Sequence, residues 1–282
     1  MSFTVFAAVL ASALIHATWN ALIKADGDRL AGLVAMSATQ IVLSLILLAN
    51  APPLAVEAWP FILGSGILST AYLIVLQHAY RSGDFSQVYP LARGTAPLIV
   101  AAVSVTALGE TLSLGAKIAI LLISAGIASL ALARRKGDIK RNKAPILWAL
   151  FAGCIIGCYT LVDGIGVRVA GNVDGYMAWM MLLTASLTVI SATLLRGPRT
   201  PWPPLRSLRM GAAAGALSFA SAWVVMWAMA NAPLALVSAL RETGIVFAAI
   251  IAVTVMKEKL DLARAASIAS TLTGTALLKL VR

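Results

Sequence analysis

Between Asp84 and Glu110 the chain carries one charge, Arg93, and long uncharged runs of this kind recur from end to end. Runs of about 20 apolar residues are what a hydrocarbon layer roughly 30 Å thick demands of a helix. A soluble core has no use for so many of them. The 282 residues are 60% hydrophobic and 12% charged, against the ~45–50% and ~25% of soluble domains, so the chain reads as a membrane protein. The runs are continuous and do not alternate with period two, which argues against a β-barrel. Helices remain, because lipid offers an exposed backbone group no partner.

Charged and Pro/Gly-rich breaks divide the chain into ten candidate spans, at 3–24, 29–50, 58–81, 86–108, 114–133, 145–168, 174–195, 208–230, 235–256 and 261–280. The sizeable polar loops are RRKGDIKRNK (134–143) and RGPRTPWPPLRSLR (196–209), so no soluble domain is expected. The first run lacks a basic lead and a small-residue cleavage site, and is expected to stay as a span. Of the 22 basic residues, sixteen fall in loops after the odd-numbered spans and four on the other side, with Arg93 and Arg241 inside spans. Cytoplasmic loops hold the Lys/Arg excess, so both termini are expected outside, in a multi-pass protein of a bacterial inner membrane. The net charge of +11 sits in short loops and is assigned to anionic lipid headgroups, not to nucleic acid.

The chain also repeats itself. ALRETGIV (239–246) matches LARGTAPL (91–98) at an offset of 148, which places Arg93 on Arg241 and Thr95 on Thr243. The same offset carries Glu110 onto Glu258, Ile120 onto Ile268 and Gly126 onto Gly274. A half of five spans is odd in number, so its copy enters the membrane from the opposite face. The expected fold is an all-α membrane protein with ten transmembrane helices in two inverted five-helix repeats, residues 1–137 and 138–282. Inverted repeats around a polar midplane site are the architecture of secondary transporters. On Pro97 with LGETLSLG (108–115), and on KEKLDLA (257–263), the chain resembles the EamA-type ten-helix branch of the drug/metabolite transporter superfamily. The second copy departs from the pattern, with Ile245 where Pro97 stands and Lys257 in place of Gly109. The resemblance implies a small organic solute and export.

Polar groups at span depth are the candidate site. An ionisable side chain there costs a few kcal/mol and needs a partner or a wet cavity. Arg93 and Arg241 come first, with Glu242 as the in-membrane carboxylate that can pair across the repeat interface with Arg93. Such a pair either fixes the packing of the halves or binds substrate. Pro97 cannot donate to the carbonyl of Arg93, four residues back, so the helix is expected to bend or open there. On the first span His16 and Asn20 are four apart with Trp19 beside them, a polar face on an apolar helix. Lys24 continues that line and can snorkel to the surface. His78 on the third span joins the candidates, and either histidine could carry a proton. Tyr159 and Asp163 lie four apart on span six, where Arg168 could neutralise the aspartate. Trp223 and Trp227 share a face of span eight and could stack on a solute. Tyr89 and Gln87 near the start of span four are assigned to a gate. GAAAG (211–215) is a small-residue surface for a homodimer or, by preference, for contacts within one monomer. Cys154 and Cys158 read as packing residues, four apart on one apolar segment.

No Walker A motif, metal-ligand spacing or nucleophile elbow is present in the sequence, so neither a cofactor nor catalysis is expected. The reading is a carrier of a small organic metabolite working by alternating access. An amino acid or related zwitterion fits a site in which Arg93 and Arg241 meet a carboxylate and Glu242 or Asp163 meets an amine or a proton. A phosphorylated or purely anionic metabolite is the second substrate class. A membrane-embedded lipid-handling protein or enzyme using His16, His78 and Asp163 is the reading from another class.

Overall fold

The computed structural model describes residues 1–26, 28–82, 85–132, 144–196, 204–254 and 262–280. Loop 134–143, the 137/138 repeat boundary, the centre of loop 196–209 and the Lys257, Glu258 and Lys259 positions lie outside the described residues. The described chain is helical, with no strand among the described residues. In order come α1 (Phe3–Ala25), α2 (Arg29–Leu48), α3 (Trp59–Ser82), α4 (Phe85–Thr106), α5 (Leu114–Leu132), α6 (Ala144–Ala170), α7 (Val173–Arg196), α8 (Leu205–Asn231), α9 (Leu234–Arg241), α10 (Gly244–Thr254) and α11 (Leu262–Leu280). Among the described residues eight stretches are long and apolar enough to cross a membrane, α9 and α10 together forming one of them. The α5 helix supplies a shorter apolar stretch, Leu114–Leu130. In α11 the apolar run is diluted by Arg264, Lys279 and five hydroxyl residues. The sequence places nine spans within a few residues of the observed helices; the ninth is broken in two.

Local chemistry sets many of the ends. Ser2 caps α1 by accepting from the Val5 amide at 3.2 Å, and Asp28 caps α2 from the Ala31 amide at 3.0 Å. Each satisfies one of the donors that a helix start leaves open. Gly171 takes φ +63° just past α6, a conformation that costs a glycine nothing. Asn172 then accepts from the Asp174 and Gly175 amides and starts α7.

Helices pack across the two halves of the chain, α1 on α8, α3 on α6, α2 on α7, α4 on α6 and α5 on α11. The small-residue stripe belongs to this packing. A side chain at Gly215 would meet the Met36 carbonyl at 2.5 Å, and Gly211 lies equally close to the Gly32 carbonyl, so α8 lies backbone to backbone on α2. The α5–α11 contact is reciprocal: Gly126 faces Ser270 and Thr271, while Gly274 faces Ala119 and Ile123. The Ser270 hydroxyl donates to the Leu122 carbonyl at 2.9 Å. Leu122 and Ser270 are themselves 148 apart, as are Gly126 and Gly274. Ser12 and Ser221 likewise donate to one another's carbonyls, at 2.9 and 3.1 Å, and tie α1 to α8.

Lys279 Nζ lies 5.6 Å from the centre of the Phe3 ring, so the starts and ends of the bundle share one face, here the terminal face. The opposite, basic face carries exposed Lys24, Arg206 and Arg209. Many of the largest buried side chains, among them Tyr176, Ile62, Met177, Met229 and Leu234, come from helix segments on the terminal side of the bundle, while Val88 and Ile127 lie toward the basic face. Cys154 and Cys158 are both free thiols.

Candidate functional site

Where α9 stops, the backbone tightens. The Glu242 amide donates to Ala239 and the Thr243 amide to Leu240, three residues back instead of four, and the Thr243 hydroxyl adds a 2.7 Å bond to the same Leu240 carbonyl. Helix resumes at Gly244. This break puts Glu242 beside α4, where Glu242 Oε2 accepts from Arg93 Nε at 2.9 Å. The two side chains are 12% and 6% exposed, so the pair is nearly dry. Cross-half pairing of Arg93 with Glu242 is thus as the sequence indicates. The expected opening at Arg93 is not: α4 stays helical from Phe85 to Thr106 across both Pro90 and Pro97. Proline removes a single backbone bond, and close neighbours in a membrane bundle can compensate for it. The break falls in the other copy, which has no proline.

The ion pair forms the floor of a cavity of about 760 Å³ bounded by α1, α4 and α10. Its polar lining is His16, Asn20, Lys24, Tyr89, Arg93 and Glu242. Its apolar wall is Ile245, Ala248, Ile251 and Ala252 on one face of α10. The lining runs along α1 from His16 to Lys24, about 12 Å of helix at 1.5 Å per residue, toward the basic face. The Tyr89 ring lies 5.9 Å from the Arg93 guanidinium carbon, a cation–π contact one helical turn before the arginine on α4. Asn20 Nδ2 donates to the His16 carbonyl at 2.8 Å. The His16 ring meets Trp19 edge-on at 5.0 Å, and among the described residues the buried Trp19 Nε1 has no hydrogen-bond partner.

Of the twelve candidates, then, His16, Asn20, Tyr89, Arg93 and Glu242 line one cavity, with Trp19 behind His16. Arg241 points elsewhere. It forms no ion pair among the described residues, yet lies within electrostatic reach of His16, Tyr159, Asp163 and Glu242. Tyr159 packs edge-on against Tyr72 at 6.2 Å. Asp163 is buried and accepts from the Tyr176 hydroxyl at 3.2 Å. Arg168 does not neutralise it: five residues along a helix is some 140° around the axis, and Arg168 pairs with Glu110 instead. Trp223 and Trp227 pack against the apolar core, and Trp223 Nε1 donates to Asp174 Oδ1 at 2.6 Å, so neither lines the cavity. His78 is exposed on α3, its Nδ1 2.8 Å from the Ile74 carbonyl and its ring 5.4 Å from Trp148.

Sequence reading missed the apolar wall on α10, because Ile245, Ala248, Ile251 and Ala252 look like any lipid-facing residues. It also missed the pairing of Glu110 with Arg168, for which neighbouring loop charges give no cue. Lys24 was visible as a snorkelling lysine, and its reach to the cavity follows from its lying two turns beyond His16 on the same face.

Chemically, the site combines a buried charge pair at a helix break with an apolar wall and a polar lining that runs along α1 toward the basic face. Residues 143–280, just under half of the chain, match the EamA-like transporter family of small-solute membrane transporters, which places the chain in the drug/metabolite transporter superfamily. A solved structure titled only "Crystal structure of protein" has the same fold, with a TM-score of 0.75 at 19% identity over 98% of each chain. Comparison with curated protein sequences finds no match.

Proposed function

We propose that this protein carries a small zwitterion, an amino acid with an apolar side chain or a close relative, and that it works by alternating access. The observation that carries the proposal is the Arg93–Glu242 pair on the floor of the cavity. A buried ion pair contributes little to stability, because desolvation offsets its attraction. A zwitterion can replace each partner with its own opposite charge, carboxylate on Arg93 and ammonium on Glu242, and leave no charge unpaired. The planar guanidinium favours a carboxylate in two-point contact. The side chain then lies against Ile245, Ala248, Ile251 and Ala252. A cavity of about 760 Å³ lies within the ~300–1,000 Å³ of small-molecule sites.

The reciprocal α5–α11 contacts support two inverted halves, residues 1–137 and 138–282, that rock about this site. A cavity whose lining runs toward the basic face fits one end state of that motion. The basic residues on that face support a cytoplasmic orientation for it in a bacterial inner membrane, with both termini outside. Export is the direction that the family resemblance favours. Asp163, buried among Ser65, Tyr176 and Arg241, is the group placed to exchange a coupling proton.

Calorimetric binding of three isosteres tests the assignment: leucine, leucinamide without the carboxylate, and 4-methylpentanoate without the ammonium. Leucine is expected to bind at least tenfold more tightly than either truncated probe. Equal binding of 4-methylpentanoate would show Glu242 locked to Arg93 as a packing element, and would move the assignment to the anionic class.

A further inference from the structure

At the terminal face a second cluster joins the two halves of the chain, and none of its members reaches the cavity. Arg168, in the last turn of α6, donates from Nε to the Met229 carbonyl at 2.9 Å and from Nη2 to the Ala232 carbonyl at 2.7 Å. Both Nη groups meet Glu110 Oε1 at 3.2 Å. The same oxygen accepts from the Leu234 amide at 2.9 Å. Each bond answers a need of the backbone. Carbonyls near the end of α8 lack helical partners and attract a cation. Pro233, at the start of α9, offers no side-chain cap, so the carboxylate from the α4–α5 connection serves as the cap in trans.

We infer that Glu110 and Arg168 form a latch that holds the terminal end of the transport path shut, and that its release opens the site to that side. The inference rests on the alternating-access reading above. Glu110 is the first-half member, and among the described residues its side chain binds only second-half groups, so that, alongside the Asn172–Pro52 bond and the Phe3–Lys279 contact, its two contacts join the halves at that face. They seal the chain segment that leads from the terminal face straight to the ion pair, since Leu234 through Leu240 are buried between Leu234's amide and Glu242. The latch can also open. The Arg168 side chain is 35% exposed, so water can take over its bonds, as it cannot for the Arg93 pair. One Glu110 oxygen, Oε2, is buried with no partner among the described residues, and it gains a partner from water when the cluster parts.

The test is thiol accessibility in detergent, with Cys154 and Cys158 replaced by alanine. Val237→Cys reports the sealed segment, and Ala248→Cys reports the cavity wall. With the latch intact, a charged maleimide is expected to modify the cavity cysteine and spare the one at position 237. In Glu110→Gln, which keeps an acceptor for the Leu234 amide but loses the charge, and in Arg168→Met, labelling at 237 should rise at least tenfold while labelling at 248 falls. Arg168→Lys should fall between, because an ammonium keeps the charge but has all its donors on one nitrogen, whereas Arg168 spreads its bonds over Nε, Nη1 and Nη2. Continued protection of 237 in Glu110→Gln would overturn the inference. So would an equal rise at both positions, which marks general loosening. If Arg168→Met does not yield folded protein, Glu110→Gln alone decides. No substrate is needed, so the result stands apart from the zwitterion assignment.

Discussion

At the residue scale, rarity made some of the site readable. Arg93, Arg241 and Glu242 stand out in sequence because lipid-depth charges are costly, and two of the three meet at 2.9 Å. What they touch was not readable, since a tertiary contact leaves no mark on a helix period. Asp163 looked equally available to substrate, to a proton or to Arg168, and folding gives it Tyr176. Removing one partner of the buried pair leaves the other charge stranded, at about 3–5 kcal/mol. Arg93→Leu and Glu242→Leu should each lower the thermal unfolding midpoint in detergent, and the double variant should recover most of that loss; additive losses would contradict a direct pair. Trp223 gives the opposite expectation. Trp223→Phe loses its bond to Asp174, worth ~1.5–3 kcal/mol as a charge-assisted contact, and should cost stability while leaving leucine affinity within twofold. A larger drop in affinity would return the indole to the binding site.

At the element scale, hydrophobic runs fixed the helices to within a few residues, because span length is set by the bilayer and not by tertiary contacts. The helix break was misplaced. Pro97 announced one in α4, yet the interruption follows Arg241, where Thr243 and the tightened turn at Leu240 take over the backbone bonds. Threonine followed by glycine was the available signal, and it is weak because both are common inside membrane helices. Thr243→Val removes the 2.7 Å hydroxyl bond and keeps the shape. It should leave the fold intact but weaken leucine binding several-fold by letting Glu242 drift from Arg93; unchanged affinity would show the turn to be held by its backbone alone. The small-residue stripe was read correctly as a contact within the chain. Gly211→Leu would drive α8 off α2, where the Gly32 carbonyl leaves no room, and should abolish a monodisperse peak in size-exclusion chromatography. Gly64→Ala, whose added methyl meets only Val162 at 3.7 Å, should preserve it.

At the scale of the whole molecule, the 148-residue offset and an odd number of spans per half were enough to suggest inverted halves, and the α5–α11 contacts repeat at that offset. A sequence with such symmetry cannot say which face is open, because an inverted repeat describes both end states equally well. The structure breaks the symmetry by lining its cavity from the Arg93–Glu242 pair toward Lys24 on the basic side. The central claim is that the Arg93–Glu242 pair is exchanged for a zwitterion and carried across. Its most direct test is counterflow: labelled leucine entering proteoliposomes preloaded with unlabelled leucine, with wild type beside Arg93→Leu/Glu242→Leu. Transient accumulation by wild type and none by the folded double variant is the expected result. Equal accumulation by both would contradict the account, because it would separate transport from the charge pair.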